Sequence, residues 1–181
     1  MDPLILYLVA AALAVILLTG ALDKLRHFSV FEGAVLAYRL IPASISKVFA
    51  GAFVTAELAA ALLLLLPHWR TEGAWLALGV LGVATAGVVV NLGRGHTDVA
   101  CGCGNLKQQS AGLSWWLVGR NAVLLLALSV LFLPRTAFIE RSFGWVDGLT
   151  FFGAALALLG LYFAANQLIE SHIKLQKLKE I

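Results

Sequence analysis

Charge is scarce in this chain. Only 13% of its 181 residues are charged, against about 25% in soluble domains. That shortage, with 61% hydrophobic residues and a mean hydropathy of +0.91, excludes a soluble globular domain. Cysteine is scarcer still. The chain has two, Cys101 and Cys103, which excludes a disulfide framework and is few for a zinc site. Internal repeats and low-complexity segments are missing as well. The formal net charge of +3 does not point to nucleic acid, because the basic residues flank apolar segments and fit anchoring at lipid headgroups. The opening Met1-Asp2-Pro3 brings no basic n-region, and the apolar stretch after it is too long for an h-region. It does not read as a cleaved signal peptide.

What is present is a series of apolar runs long enough to cross a bilayer. Runs of about 18 or more such residues read as transmembrane helices. They predict one polytopic membrane domain over 1–181, all-α, with a four-helix transmembrane bundle, a fifth span, and a short amphipathic surface helix after the first span. The spans are expected at 4–22, 45–66, 74–92, 115–133 and 149–169. The surface helix is expected over 28–40, closed by Pro42. Ala52, Ala56 and Ala60 recur every fourth residue, and Gly79, Gly82, Ala86 and Gly87 thin the next span, so both predict close helix packing. Ser114 is a good N-cap for the fourth span. Leu168, Ile173, Leu175 and Leu178 predict that the last helix continues along the membrane surface.

Few polar residues interrupt these runs, and those few are the candidates for function. Glu57 falls near the middle of the second span. A carboxylate at that depth costs a few kcal/mol and faces protein or a watery cavity. Lys24 sits close to the first apolar run and has room to turn inward. Tyr38 is either an interface anchor or a hydroxyl aimed into the bundle. Arg120 and Asn121 come more than a turn inside the fourth span. Arg120 either snorkels to the surface or faces the loop before its helix.

That loop, 93–114, is long for a connection inside a compact bundle, and such loops are usually functional. It holds Cys101-Gly102-Cys103. A disulfide closed over one residue is a small, strained ring, which Gly102 relieves in part. Strained disulfides are the labile, exchanging ones. Basic neighbours (Arg94, Lys107, Arg120, Lys24) would favour thiolate. Three readings compete. One is a redox pair. The second is a soft-metal binding or transport site in which Cys101, Cys103 and His96 hold Cu(I) or a similar ion. The third is a pair of inert small residues in a glycine-rich turn.

The order of motifs resembles the MauE group of the MauE/DoxX redox-associated membrane proteins. The resemblance runs through Gly20-Ala21-Leu22-Asp23-Lys24-Leu25, Phe31, Tyr38-Arg39-Leu40-Ile41-Pro42 and Ala56-Glu57-Leu58. It continues through Asp98, Cys101-Gly102-Cys103, Ser114-Trp115 and Arg120-Asn121. The family pattern after the cysteines is closer to Cys-Gly-Cys-Phe-Gly, whereas this chain has Gly104-Asn105 there. The resemblance implies a bacterial inner-membrane protein that helps mature the β-subunit of methylamine dehydrogenase, a disulfide-rich periplasmic enzyme. It implies a thioredoxin-like, MauD-like partner. Cys101 and Cys103 would be the exchanging pair, with Lys24, Tyr38, Glu57, Arg120 and Asn121 in support. It also implies a distant likeness to membrane disulfide oxidases, which use a second cysteine pair to reach a quinone. This chain has no second pair. Direct exchange with a partner dithiol is therefore the simpler expectation, with a quinone as the one candidate cofactor. The positive-inside rule points the other way on sidedness: it places the more basic cysteine face towards the cytoplasm, whereas the implied role wants the cysteines outside.

Overall fold

A computed structural model describes residues 3–96, 112–133 and 144–179. Among them there are six α-helices and no strand: α1 (Pro3–Arg26), α2 (Phe28–Ala37), α3 (Ala43–Leu65), α4 (Arg70–Gly93), α5 (Trp115–Ser129) with a closing 3₁₀ turn (Val130–Phe132), and α6 (Trp145–Lys179). All but α2 belong to five stretches that are long and apolar enough to cross a membrane. The chain is all-α and multi-pass, as its hydropathy predicts.

Helices α1, α3, α4 and α5 share one core, with Leu17, Ala61, Leu64, Ala77, Leu81 and Leu128 at its centre. Lipid tails are as apolar as leucine, so close packing rather than the hydrophobic effect holds such helices together. The small residues do this work, though only part of each spaced set lies on the packed face. In α3 the buried stripe is Ser46, Ala50, Val54, Glu57, Ala60, Ala61 and Leu64; Ala60 of the four-residue repeat lies on it, while Ala56 is half-buried and Ala52 exposed. In α4 it is Gly73, Ala74, Ala77, Val80, Leu81, Gly87, Val88 and Asn91, so Gly87 packs as expected while Gly79 and Ala86 face out. A four-residue repeat drifts around a helix of 3.6 residues per turn, so the repeat alone does not locate the contact.

The helices outrun their apolar runs at ends where local groups support another turn. Glu72 in the first turn of α4 complements the helix dipole. The Gly144 N–H donates to Asp147 Oδ2 at 2.8 Å, which closes the start of α6. Ser114 Oγ accepts from the Trp116 N–H at 3.4 Å, the expected N-cap of α5. At 35 residues, α6 is about 52 Å long against about 30 Å of hydrocarbon, so it extends well past the bilayer. Trp116 meets His172 edge-on at 6.3 Å between ring centres, which puts that extension on the cysteine-loop face.

The surface helix α2 ends at Ala37, three residues short of expectation, because Arg39 takes a left-handed φ of 50°. Phe31 and Ala34 of α2 are buried, and Phe31 packs against Ala50 and Val54 of α3. The helix therefore forms a roof over the bundle.

The tightest helix contact yields a prediction. A Cβ on Gly73 would lie 2.8 Å from Leu64 N and 2.9 Å from Leu63 C, both backbone atoms. Gly73→Ala is expected to destabilise the protein by about 1–3 kcal/mol through overpacking. Gly79→Ala meets open space and gains helix propensity, so it is expected to be neutral or stabilising by up to ~1 kcal/mol. Thermal unfolding of the two variants in detergent checks the contrast.

Candidate functional site

The polar centre of the bundle is an ion pair. Lys24 lies in the last turn of α1 because that helix continues past its apolar run. Its Nζ donates to Glu57 Oε1 at 2.9 Å and Oε2 at 2.8 Å, and to the Gly20 carbonyl at 3.4 Å. Lys24 is 4% exposed and Glu57 6%. The ammonium also lies 5.7 Å from the ring centre of Phe31 and 5.9 Å from that of Phe53, close enough for cation–π attraction. Gly20 makes room for the pair: a Cβ there would stand 3.2 Å from Glu57 Oε1.

A second polar group is built on α5. Arg120 Nη1 donates to Asn166 Oδ1 of α6 at 2.6 Å, and Nε and Nη2 donate to Asn121 Oδ1 at 3.3 and 3.1 Å. Asn121 Nδ2 donates to Thr85 Oγ1 of α4 at 3.1 Å, and the Thr85 hydroxyl donates in turn to the Leu81 carbonyl at 2.6 Å. The guanidinium is thus held inside the bundle rather than snorkelling. Tyr38 follows α2 inward, its ring seated on α4 where a Cβ on Gly87 would be 3.1 Å from Cε2.

Lys24, Tyr38, Glu57, Arg120 and Asn121 all line one cavity of about 130 Å³ beneath the roof. Cys101 and Cys103, with Asp98 and Lys107, lie outside the described residues. The stems of their loop are described. Helix α4 closes in a Schellman turn, with Gly95 at φ 76°. Gly95 N–H donates to Leu92 O and His96 N–H to Asn91 O, each at 3.0 Å. The returning stem buries Leu113 against Val88 and Leu117. Both stems therefore leave the same end of the bundle as the cavity roof. Among the described residues, no group of three or more His, Cys, Asp or Glu is placed to hold a metal.

The sequence reading did not single out Thr85, Asn91 or Asn166. Asn166 had a signal, an amide at the end of an apolar run. Thr85 had none, since a lone threonine in a span usually bonds its own helix backbone. Asn91 is fully buried and donates Nδ2 to the Gly87 carbonyl at 3.0 Å. Its Oδ1 has no partner among the described residues.

The family model for methylamine utilisation protein MauE matches residues 2–134. The chain belongs to the MauE family. A methylamine utilization protein MauE from Paracoccus versutus is 37% identical over 170 residues, 92% of this chain and 88% of the relative. Its counterpart in Paracoccus denitrificans is 36% identical over 132 residues, 71% and 69% of the two chains. The one in Methylophilus methylotrophus is 28% identical over 168 residues, 93% and 87%. No solved structure matches the chain. The MauE match contains α1 to α5 and stops before α6, so it includes the cavity residues on the first five helices but not Asn166.

Removing one member of a buried pair strands the other charge, at a cost of about 3–5 kcal/mol, whereas an apolar replacement of both is often neutral. Lys24→Met and Glu57→Leu are each expected to lower stability on that scale. The double variant is expected to regain most of the loss. A double-mutant cycle of detergent-phase unfolding measures the coupling.

Proposed function

We propose that this MauE-family protein is a membrane thiol–disulfide exchange protein of the bacterial inner membrane. Its task is maturation of a periplasmic enzyme of methylamine metabolism, the β-subunit of methylamine dehydrogenase by family resemblance. The observation that carries the reading is the pair Cys101-Gly102-Cys103, the chain's only cysteines, in a loop whose stems leave the bundle end that holds Lys24, Tyr38 and Arg120. With no second pair, electrons pass directly between this dithiol and that of a thioredoxin-like, MauD-like partner. In each exchange a thiolate attacks the partner disulfide, one S–S bond breaks as another forms, and two electrons and two protons change hands.

Arg120 supports this role as a cation fixed six residues after Ser114, where the loop returns. Its hydrogen bonds to Asn121 and Asn166 hold the charge in place. Periplasmic exchange requires the cysteine loop outside. That face carries exposed Arg26, Arg39, Lys47 and Arg94, while Lys24 leaves the charge balance because Glu57 neutralises it. Sidedness is therefore the measurement that decides.

In intact spheroplasts, a membrane-impermeant maleimide is expected to label Cys101 and Cys103 after mild reduction. Cys103→Ser is expected to accumulate, or Cys101→Ser to abolish, a mixed disulfide with the thioredoxin-like partner. The Cys101→Ser, Cys103→Ser double variant should lose maturation of the periplasmic subunit altogether. Labelling only after the membrane is opened, or normal maturation in the double variant, overturns the proposal.

A further inference from the structure

Four cations stand at the end of the bundle from which the cysteine loop leaves. Arg26 closes α1, Arg94 caps α4, Lys47 lies one turn into α3, and Arg39 sits in the turn between α2 and α3. All four are exposed. Among the described residues none of them takes part in a salt bridge or a side-chain hydrogen bond. The acids of the same helices do not offset them: Glu57 is bound to Lys24, Asp23 faces His27 at 3.3 Å, and Glu32 is half-buried. On α1 to α5 this face has no exposed carboxylate. Local energetics explains only half of the set. Arg26 and Arg94 stand at helix C-termini, where the helix dipole favours a cation. Lys47 is near the N-terminal end of α3, where the dipole opposes it. Arg39 is the one non-glycine residue with a positive φ among the described residues, in a conformation that glycine takes without steric cost. An exposed arginine kept in a strained turn, with no partner inside the chain, points to a partner outside it.

We infer that this face is a docking surface for an acidic protein: the soluble domain that exchanges with Cys101 and Cys103 carries aspartate and glutamate around its own disulfide, and Arg26, Arg39, Lys47 and Arg94 receive them. The inference rests on the thiol-exchange reading and supplies the surface chemistry of the partner. On the periplasmic side that this reading requires, so basic a face runs against the positive-inside bias, and its cations therefore answer to something other than topology. Transient redox encounters bury little area and draw their rate and orientation from charge complementarity. Three of the four cations are arginines, the basic residue enriched at protein interfaces and able to grip a carboxylate with two N–H groups. Headgroup anchoring makes no distinction between lysine and arginine and asks for no strained backbone.

The test uses the full chain in nanodiscs of zwitterionic phospholipid, as the Cys101→Ser, Cys103→Ser variant so that binding is read without exchange. The probes are a fluorescent soluble peptide with aspartates around one internal disulfide, and its counterpart with lysine in place of aspartate. The aspartate peptide is expected to bind about ten-fold more tightly at low salt, and the difference to vanish at about 1 M salt, where the Debye length is about 3 Å. Arg39→Gly removes the charge and relieves the left-handed residue. It is expected to melt no lower than its parent yet to bind the aspartate peptide about three-fold more weakly, whereas Arg39→Lys retains most of the binding. Arg26→Gln, Arg39→Gly and Arg94→Gln together are expected to lose about ten-fold or more. Equal binding of the two peptides, binding insensitive to salt, or full binding in the triple variant overturns the inference. So does retention of anionic phospholipid by the parent and not by the triple variant when neither peptide is preferred, which makes the face a lipid anchor. Exchange with a small uncharged disulfide, read on the protein with both cysteines, tests the thiol reading by itself. Exchange without peptide preference overturns the docking surface alone, and peptide preference without exchange overturns the thiol reading.

Discussion

A buried pair of opposite charges constrains everything around it. On insertion scales an acid near a helix centre costs about 2.5–3.5 kcal/mol, a cost that Glu57 carries near the middle of α3 and that Lys24, in the last turn of α1, offsets by turning inward to it. Their attraction at 2.8 Å is of the same order at an effective dielectric near 20. The pair thus comes out near balance as a unit, and neither half is tolerable alone. The structural result is register. α1 cannot slide against α3 without pulling an ammonium from its carboxylate. α1 must also stay helical to Arg26 for Lys24 to reach.

The roof follows from the same constraint. Phe31 of α2 closes over the ammonium, which sets where α2 lies. From there the chain has to turn back into α3 at Ala43, and Arg39 does it in a left-handed conformation, at a cost of about 1–2 kcal/mol for a residue with a Cβ. The same turn drives Tyr38 onto Gly87 of α4. Ion pair, roof, turn and tyrosine are consequences of one placement, and the cavity is the space they leave.

Hydropathy made the architecture legible because a spanning helix must satisfy its whole backbone internally, which leaves a long apolar run as its signature. The polar candidates were legible for a related reason: Glu57 at bilayer depth demands a partner, and Lys24, close to the first apolar run, had room to turn inward. Pairing itself was not legible, since residues thirty-three apart meet only through the α1–α3 contact. Nor was the packing face of α3. The repeat Ala52, Ala56 and Ala60 meets the true stripe through Ala50, Val54, Glu57 and Ala60 only at Ala60, because a four-residue spacing drifts off a face of 3.6 residues per turn. A reading that placed Glu57 inward first would have put Ala50 and Val54 inward with it.

Helix α6 stands outside this logic. No residue of its spanning window is buried, and the MauE match ends before it. Its side chains touch the bundle through Tyr162 at the core and Ile169 beside Val88 and Leu117, and through the Asn166–Arg120 hydrogen bond. Hydrogen bonds between membrane helices average only about 0.6 kcal/mol, so this one adds little to the hold on α6. Its effect is on Arg120. Asn121 binds two guanidinium nitrogens from one side and Asn166 binds the third from another helix, which fixes the plane of the group. The bundle is then α1, α3, α4 and α5 under the roof of α2, and α6 is the wall that fixes its second cation.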